Sequence, residues 1–128
     1  MKASRRYSIP YSMAQNQMRL DKEDARMRKV YICSPYRGNV EHNVGNARRY
    51  CRMAVDNGFI PVAPHIYFTQ FLDDSVEKER KAGIEAGIQL MLECDEVWVF
   101  GEPTEGMRQE MECAEKHDMK ITMMACNG

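Results

Sequence analysis

From Lys29 onward, short apolar runs alternate with stretches in which apolar residues recur every three or four positions. Val30–Ser34, Phe59–Ala63, Glu96–Phe100 and Lys120–Met124 have the length of strands, and Pro35 and Pro64 close the first two. Glu96–Phe100 is nearly continuous in apolar character, as expected of a parallel strand buried on both faces. Between the first two runs, Val40, Val44, Ala47, Cys51 and Ala54 repeat at spacings of four and three, which predicts one face of a helix. Asn39 can cap that helix, and Asn57-Gly58 suits its end. Ile66–Leu72 reads as a loop or short turn rich in aromatics. Asp74 and Glu77 stand at capping-box spacing before a helix that runs to about Glu93, with Val76, Ile84, Ile88 and Met91 as its apolar stripe. Gly83 and Gly87 lie inside it, each costing about 1 kcal/mol against Ala, which points to close packing against a strand or another subunit. Gly101–Gly106 is a loop, and Met107–Asp118 a final helix.

The order is therefore β-α-β-α-β-α-β. Strands alternating with helices predict an α/β fold, a small Rossmann- or flavodoxin-like parallel sheet of order 2-1-3-4 with helices on both faces. The gap between strands one and three is then the topological switch point, where ligands of open α/β sheets bind at the carboxyl ends of the strands.

Residues 1–28 do not share the pattern. They carry seven Lys/Arg against three Asp/Glu, a local charge of +4, and read as an N-terminal tail with at most a weak helix over Ala14–Met27. A natural start at Met27 is the simpler account. Residues 29–128 form one α/β domain with 11 Lys/Arg against 16 Asp/Glu, so −5. That mildly acidic body argues against nucleic-acid binding. Apolar runs such as Val97–Phe100 are far shorter than the ~20 residues of a membrane span, and no apolar segment follows the basic N-terminus. No membrane partner and a cytoplasmic location are expected. The five cysteines, Cys33, Cys51, Cys94, Cys113 and Cys126, form no C-x-x-C pair, which argues for free thiols and against a zinc site.

The switch-point rule selects two loops. One is Ser34-Pro35-Tyr36-Arg37-Gly38-Asn39; the other runs Gly101 to Met107 and contains Thr104 and Gly106. Both lead into helix N-termini, which favour anions. Arg37 suits a phosphate or carboxylate, and Tyr36 suits stacking or a hydroxyl contact. The alternative is an ordinary turn whose Pro and Gly only shape the backbone. Neither a G-x-x-x-x-G-K-[ST] loop nor a G-x-G-x-x-G fingerprint is present. His65 ends strand two on the same rim and could contact a ligand or act as an acid near neutral pH, or make only a structural hydrogen bond. Arg80 and Lys81 either reach a phosphate or are solvated.

Three segments together, Tyr31-Ile32-Cys33-Ser34-Pro35-Tyr36-Arg37-Gly38, Cys94-Asp95-Glu96-Val97 and Gly106-Met107-Arg108-Gln109-Glu110-Met111-Glu112-Cys113-Ala114, resemble the nucleoside 2-deoxyribosyltransferase superfamily, and most closely its uncharacterised DUF4406-like bacterial and phage relatives. The resemblance spans Lys29–Met124. Near its catalytic residue that family reads Gly-Thr-x-x-Glu-x-Gly-x-Ala; here Gly106, Met107, Glu110, Glu112 and Ala114 occupy the pattern, with Met107 for the Thr and Glu112 for the second Gly. The resemblance implies that Glu110 is a nucleophile cleaving or transferring the N-glycosidic bond of a nucleoside or nucleoside 5′-monophosphate, with no metal or cofactor, in a homo-oligomer whose Gly83/Gly87 face and Tyr67–Leu72 suit the contacts. Glu110 near a helix N-terminus is expected to stay ionised. Asp95, Asp73, Asp74 and His65 are candidate proton donors; the resemblance favours an Asp, Asp95 stands at the wrong end of its strand, and Asp74 is taken as catalytic beside its alternative role as a cap. Read without the resemblance, Glu110 is one of several surface glutamates on a charged helix. Two rival functions stand beside the enzyme: a module that binds a nucleotide or nucleotide-derived signal without turnover, favoured by Met107 and Glu112, and an interaction protein with a vestigial site.

Overall fold

The structure is a computed structural model that describes residues 26–125. Most of the expected N-terminal tail, including nearly all of the helix suggested over Ala14–Met27, lies outside the described residues, as does Cys126. The elements are β1 (Lys29–Cys33), α1 (Val40–Asp56), β2 (Ile60–Val62), α2 (Pro64–Tyr67), a 3₁₀ turn (Phe68–Gln70), α3 (Glu77–Leu92), β3 (Glu96–Val99), α4 (Glu105–Lys116) and β4 (Lys120–Met123). The four strands form one parallel sheet of order β2-β1-β3-β4. This is the α/β fold and strand order that the alternating pattern predicts.

The period of two along each strand divides the core into two layers. Val30, Ile32, Trp98 and Phe100 pack with Ala54, Tyr50 and Cys51 of α1 on one face. Tyr31, Cys33, Val97 and Val99 pack with Met91 of α3 and with Met107, Met111 and Ala114 of α4 on the other. All four residues of β3 are buried, which explains its unbroken run. Among the described residues no helix is long and apolar enough to cross a membrane, and Cys33, Cys51, Cys94 and Cys113 are free thiols.

Local signals set most boundaries. The Asn39 side chain accepts a hydrogen bond from the His42 amide (3.2 Å) to cap α1, and Gly58 takes φ +84° just past its end. Two segments depart from expectation. Pro64 does not merely end β2: it opens α2, where its fixed φ suits the first helical turn. Nor do Asp74 and Glu77 cap α3. A turn closed by Val76 N–H to the Asp73 carbonyl (3.0 Å) occupies these residues, so the helix begins only at Glu77. The carboxylate that reaches back is Glu79, which accepts from the Asp73 amide at 2.6 Å.

Gly83 and Gly87 pack closely within the chain. A Cβ on Gly87 would stand 3.4 Å from the Tyr31 hydroxyl and 3.9 Å from Pro64, and one on Gly83 would stand 3.4 Å from Leu72. Within the chain, Gly87 thus meets strand β1 and Gly83 meets the loop before α3.

Candidate functional site

The carboxyl end of β1, the start of α4 and the near face of α3 enclose a cavity of about 210 Å³. That is below the roughly 300–1,000 Å³ of drug-sized ligand pockets, and a shallower groove adjoins it at Tyr36, Arg37 and Asp74. Of the residues singled out in the sequence, Ser34, Tyr36, Arg37, His65, Asp74, Thr104, Gly106, Met107 and Glu110 line the cavity. Gly38 lies on the outer groove, together with Val40 and Phe71. Pro35 and Gly101 line neither; they pack on each other, with Gly101 at φ +76° and its missing Cβ 3.5 Å from the Pro35 ring. Glu112 is exposed and lies outside the cavity, so the exchange of Gly for Glu there does not alter its wall.

Glu110 is the sixth residue of α4, one turn beyond the helix N-terminus. Its carboxylate turns inward to β1. Tyr31 Oη donates to Oε2 at 2.7 Å, and Cys33 Sγ approaches Oε1 at 3.3 Å. Tyr31 and Cys33 are two apart on a strand and so share a face. Glu110 is therefore not one more solvated glutamate of a charged helix. Its protonation is not set by the helix dipole, which acts within the first turn. Burial pushes its pKa above the ordinary glutamate value, and the hydrogen bonds from Tyr31 and Cys33 pull the other way. Burial first, and then the Glu110 charge, holds both the Tyr31 hydroxyl and the Cys33 thiol well above their usual ranges, so both keep their protons and act as donors.

Across the cavity, Ser34 Oγ and His65 Nε2 are 3.0 Å apart. Thr69 Oγ1 donates to the His65 carbonyl at 2.9 Å and ties the short helix down. Burial lowers the His65 pKa to about 4, so it is a neutral imidazole at neutral pH. Desolvation disfavours the charged imidazole, which works against a role as an acid near neutral pH.

The rim is polar. Arg37 Nε donates to Asp74 Oδ2 at 2.7 Å and Arg37 Nη2 reaches the Asp74 carbonyl at 3.4 Å, which ties the loop after β1 to the loop before α3. Asp74 is thus the partner of Arg37 rather than a helix cap. Asp73 is exposed and accepts from the Ser75 amide (3.0 Å) and hydroxyl (2.6 Å), which lowers its pKa. Asp95 lies at the opposite end of the sheet, where it accepts from the Lys29 amide at 2.7 Å and pairs with Arg26. Thr104 caps α4: its hydroxyl accepts from the Met107 amide (3.2 Å), and the Met107 sulfur accepts from the Thr104 amide (3.4 Å), a capping box with a thioether in place of a carboxylate.

Sequence reasoning gave Tyr31, Cys33 and Gly87 no part in the site. One signal was available: a Tyr in a strand buried on both faces needs a partner for its hydroxyl. Arg80 of α3, left open between ligand contact and solvent, lines the cavity, while Lys81 is exposed and does not.

No curated protein matches the chain. A family model described as a domain of unknown function (DUF7768) matches residues 28–124. That stretch holds the whole sheet and every residue that lines the cavity, and the chain accordingly belongs to the DUF7768 family.

Proposed function

We propose that the protein cleaves or transfers the N-glycosidic bond of a nucleoside or nucleoside 5′-monophosphate, with Glu110 as nucleophile. The observation that carries the reading is the Glu110 carboxylate: it borders a cavity at the switch point of the sheet and is held there by two donors from β1. The nucleophilic step needs Glu110 ionised, and the hydrogen bonds from Tyr31 and Cys33 favour that form against the burial that opposes it. In the first step a Glu110 oxygen bonds to the anomeric carbon, and the electron pair of the C–N bond leaves with the base. Asp74, the ion-pair partner of Arg37 on the cavity rim, orients the base by accepting a hydrogen bond from it, and the proton that the departing base takes up comes from water. In the second step water or another base attacks the anomeric carbon and frees Glu110. Tyr36 stacks on the base, and Arg37 binds a phosphate or a sugar hydroxyl. The resemblance to nucleoside 2-deoxyribosyltransferases supports this reading, which also makes the protein a cytoplasmic homo-oligomer that needs no cofactor.

A second reading, a nucleotide-binding module without turnover, is favoured by Met107. Its buried side chain borders the cavity where the transferases carry a threonine hydroxyl.

The decisive experiment incubates the protein with ribo- and deoxynucleosides and their 5′-monophosphates, with and without a second free base, and follows base release and exchange by liquid chromatography. Base release that disappears in Glu110→Ala supports the enzyme. Intact ligand recovered from a thermally stabilised protein supports the binding module, and a panel that neither turns over nor stabilises removes both readings.

A further inference from the structure

We propose that Cys33 is a positioning residue for Glu110: its buried thiol holds the carboxylate oxygen that Tyr31 does not, and the two side chains together fix the plane of the carboxylate. The proposal rests on the reading of Glu110 as nucleophile for its catalytic meaning, and on the geometry alone for the contact itself.

Cys33 closes β1 and is fully buried, so no solvent competes for its S–H. Its sulfur has two acceptors within reach, Glu110 Oε1 at 3.3 Å and the Met107 carbonyl at 4.0 Å. The nearer is the charged one, and charge strengthens a hydrogen bond from a weak donor. With Oε2 on Tyr31 and Oε1 on Cys33, rotation of the carboxylate breaks at least one contact. An apolar residue at position 33 would pack equally well in this layer but would leave Oε1 facing it without a donor.

The other charged groups lining the cavity are Arg37, Asp74, Glu79, Arg80 and Glu105, with His65 neutral opposite. They are unchanged by a substitution at Cys33, so a change in Glu110 titration on replacing the thiol reports the thiol itself.

The test is a titration of the Glu110 side-chain carbon by ¹³C NMR, its signal assigned by loss in Glu110→Gln, in the wild type, Cys33→Ala and Cys33→Ser. Removing a donor from a buried carboxylate favours its protonated form, so Cys33→Ala raises the Glu110 midpoint by roughly 0.5–1 pH unit. Cys33→Ser puts a stronger donor in the same place and brings the midpoint below the wild-type value. The acid limb of kcat/KM for base release moves in the same order. An unchanged midpoint in Cys33→Ala overturns the proposal and leaves the thiol a packing group. Should Cys33→Ala fail to fold by circular dichroism, Cys33→Ser decides alone: a midpoint below the wild type supports the proposal, and an equal or higher one overturns it. Absence of turnover in the wild type sinks the enzymatic reading, yet the midpoints still report whether Cys33 holds Glu110.

Discussion

The Tyr31 hydroxyl donates to Glu110 Oε2 at 2.7 Å, across 79 positions of sequence and from the inner strand β1 to helix α4. Tyr31 is 2 % exposed, so its hydroxyl has little access to water. Tyr31→Phe keeps the ring and deletes the bond. It is expected to lower unfolding stability by about 1.5–3 kcal/mol, the usual range for a hydrogen bond to a charged group, read from urea midpoints at constant slope. Base release falls with it, because Glu110 then keeps only the thiol.

Glu110→Gln is expected to abolish base release without destabilising the fold at neutral pH. The sign follows from linkage. Glu110 has a folded pKa above its ordinary value, so the folded state holds the proton longer than the unfolded one, and this group subtracts stability as pH rises from the ordinary glutamate value through the folded one. A neutral amide removes that term. Urea unfolding at pH 7.5 then shows an equal or higher midpoint for Glu110→Gln; a clearly lower one means that the charge stabilises the fold.

His65 gives the opposite dependence. Its folded pKa of about 4 lies below the ordinary 6.5, so the unfolded chain takes up the proton first. Stability from this group is full above pH 6.5 and is lost as pH falls towards 4, by at most about 3 kcal/mol. The difference in unfolding free energy between pH 7.5 and 4.5 should shrink in His65→Gln. Equal pH dependence in the two proteins rules out a neutral buried His65.

Arg37 and Asp74 form a partly exposed pair, of the kind worth about 0.2–1 kcal/mol. Arg37→Ala should therefore move the melting temperature little. If Arg37 binds a phosphate, the same change weakens a nucleoside 5′-monophosphate at least ~10-fold, the loss of one charge-assisted contact, and spares the matching nucleoside. Calorimetry with the two ligands separates these effects, and equal weakening of both means that Arg37 does not read the phosphate.

The two glycines of α3 should respond differently. Gly83 faces the flexible end of Leu72, so Gly83→Ala gains helix propensity and stabilises by about 0.5–1 kcal/mol. Gly87 faces the Tyr31 hydroxyl, and Gly87→Leu has to push it away from Glu110, with loss of base release. A fully active Gly87→Leu would show that the Tyr31 contact is dispensable.

The sequence by itself determined the kinds of element, their order and the parallel 2-1-3-4 sheet, because periodicity, caps and turn residues act over a few positions. The α1 stripe through Ala47 and Ala54, Asn39 as cap and Gly58 at positive φ are all local, although Val40 at the start of that stripe stays exposed. Order then fixed the switch point, and with it the loops that carry Tyr36, Arg37 and Thr104. The inward turn of Glu110 could not be read that way. Period two states that Tyr31 and Cys33 share a face, but not that α4 lies over it, and on its own helix Glu110 resembles its exposed neighbours. Asp74 was misread for a related reason: its capping spacing was a local signal, overridden by a turn at Asp73 and an arginine 37 positions away. Protonation was the tertiary structure's to decide, since the charge on Glu110 and His65 depends on how much water the packed chain leaves around each and which donors it brings within reach.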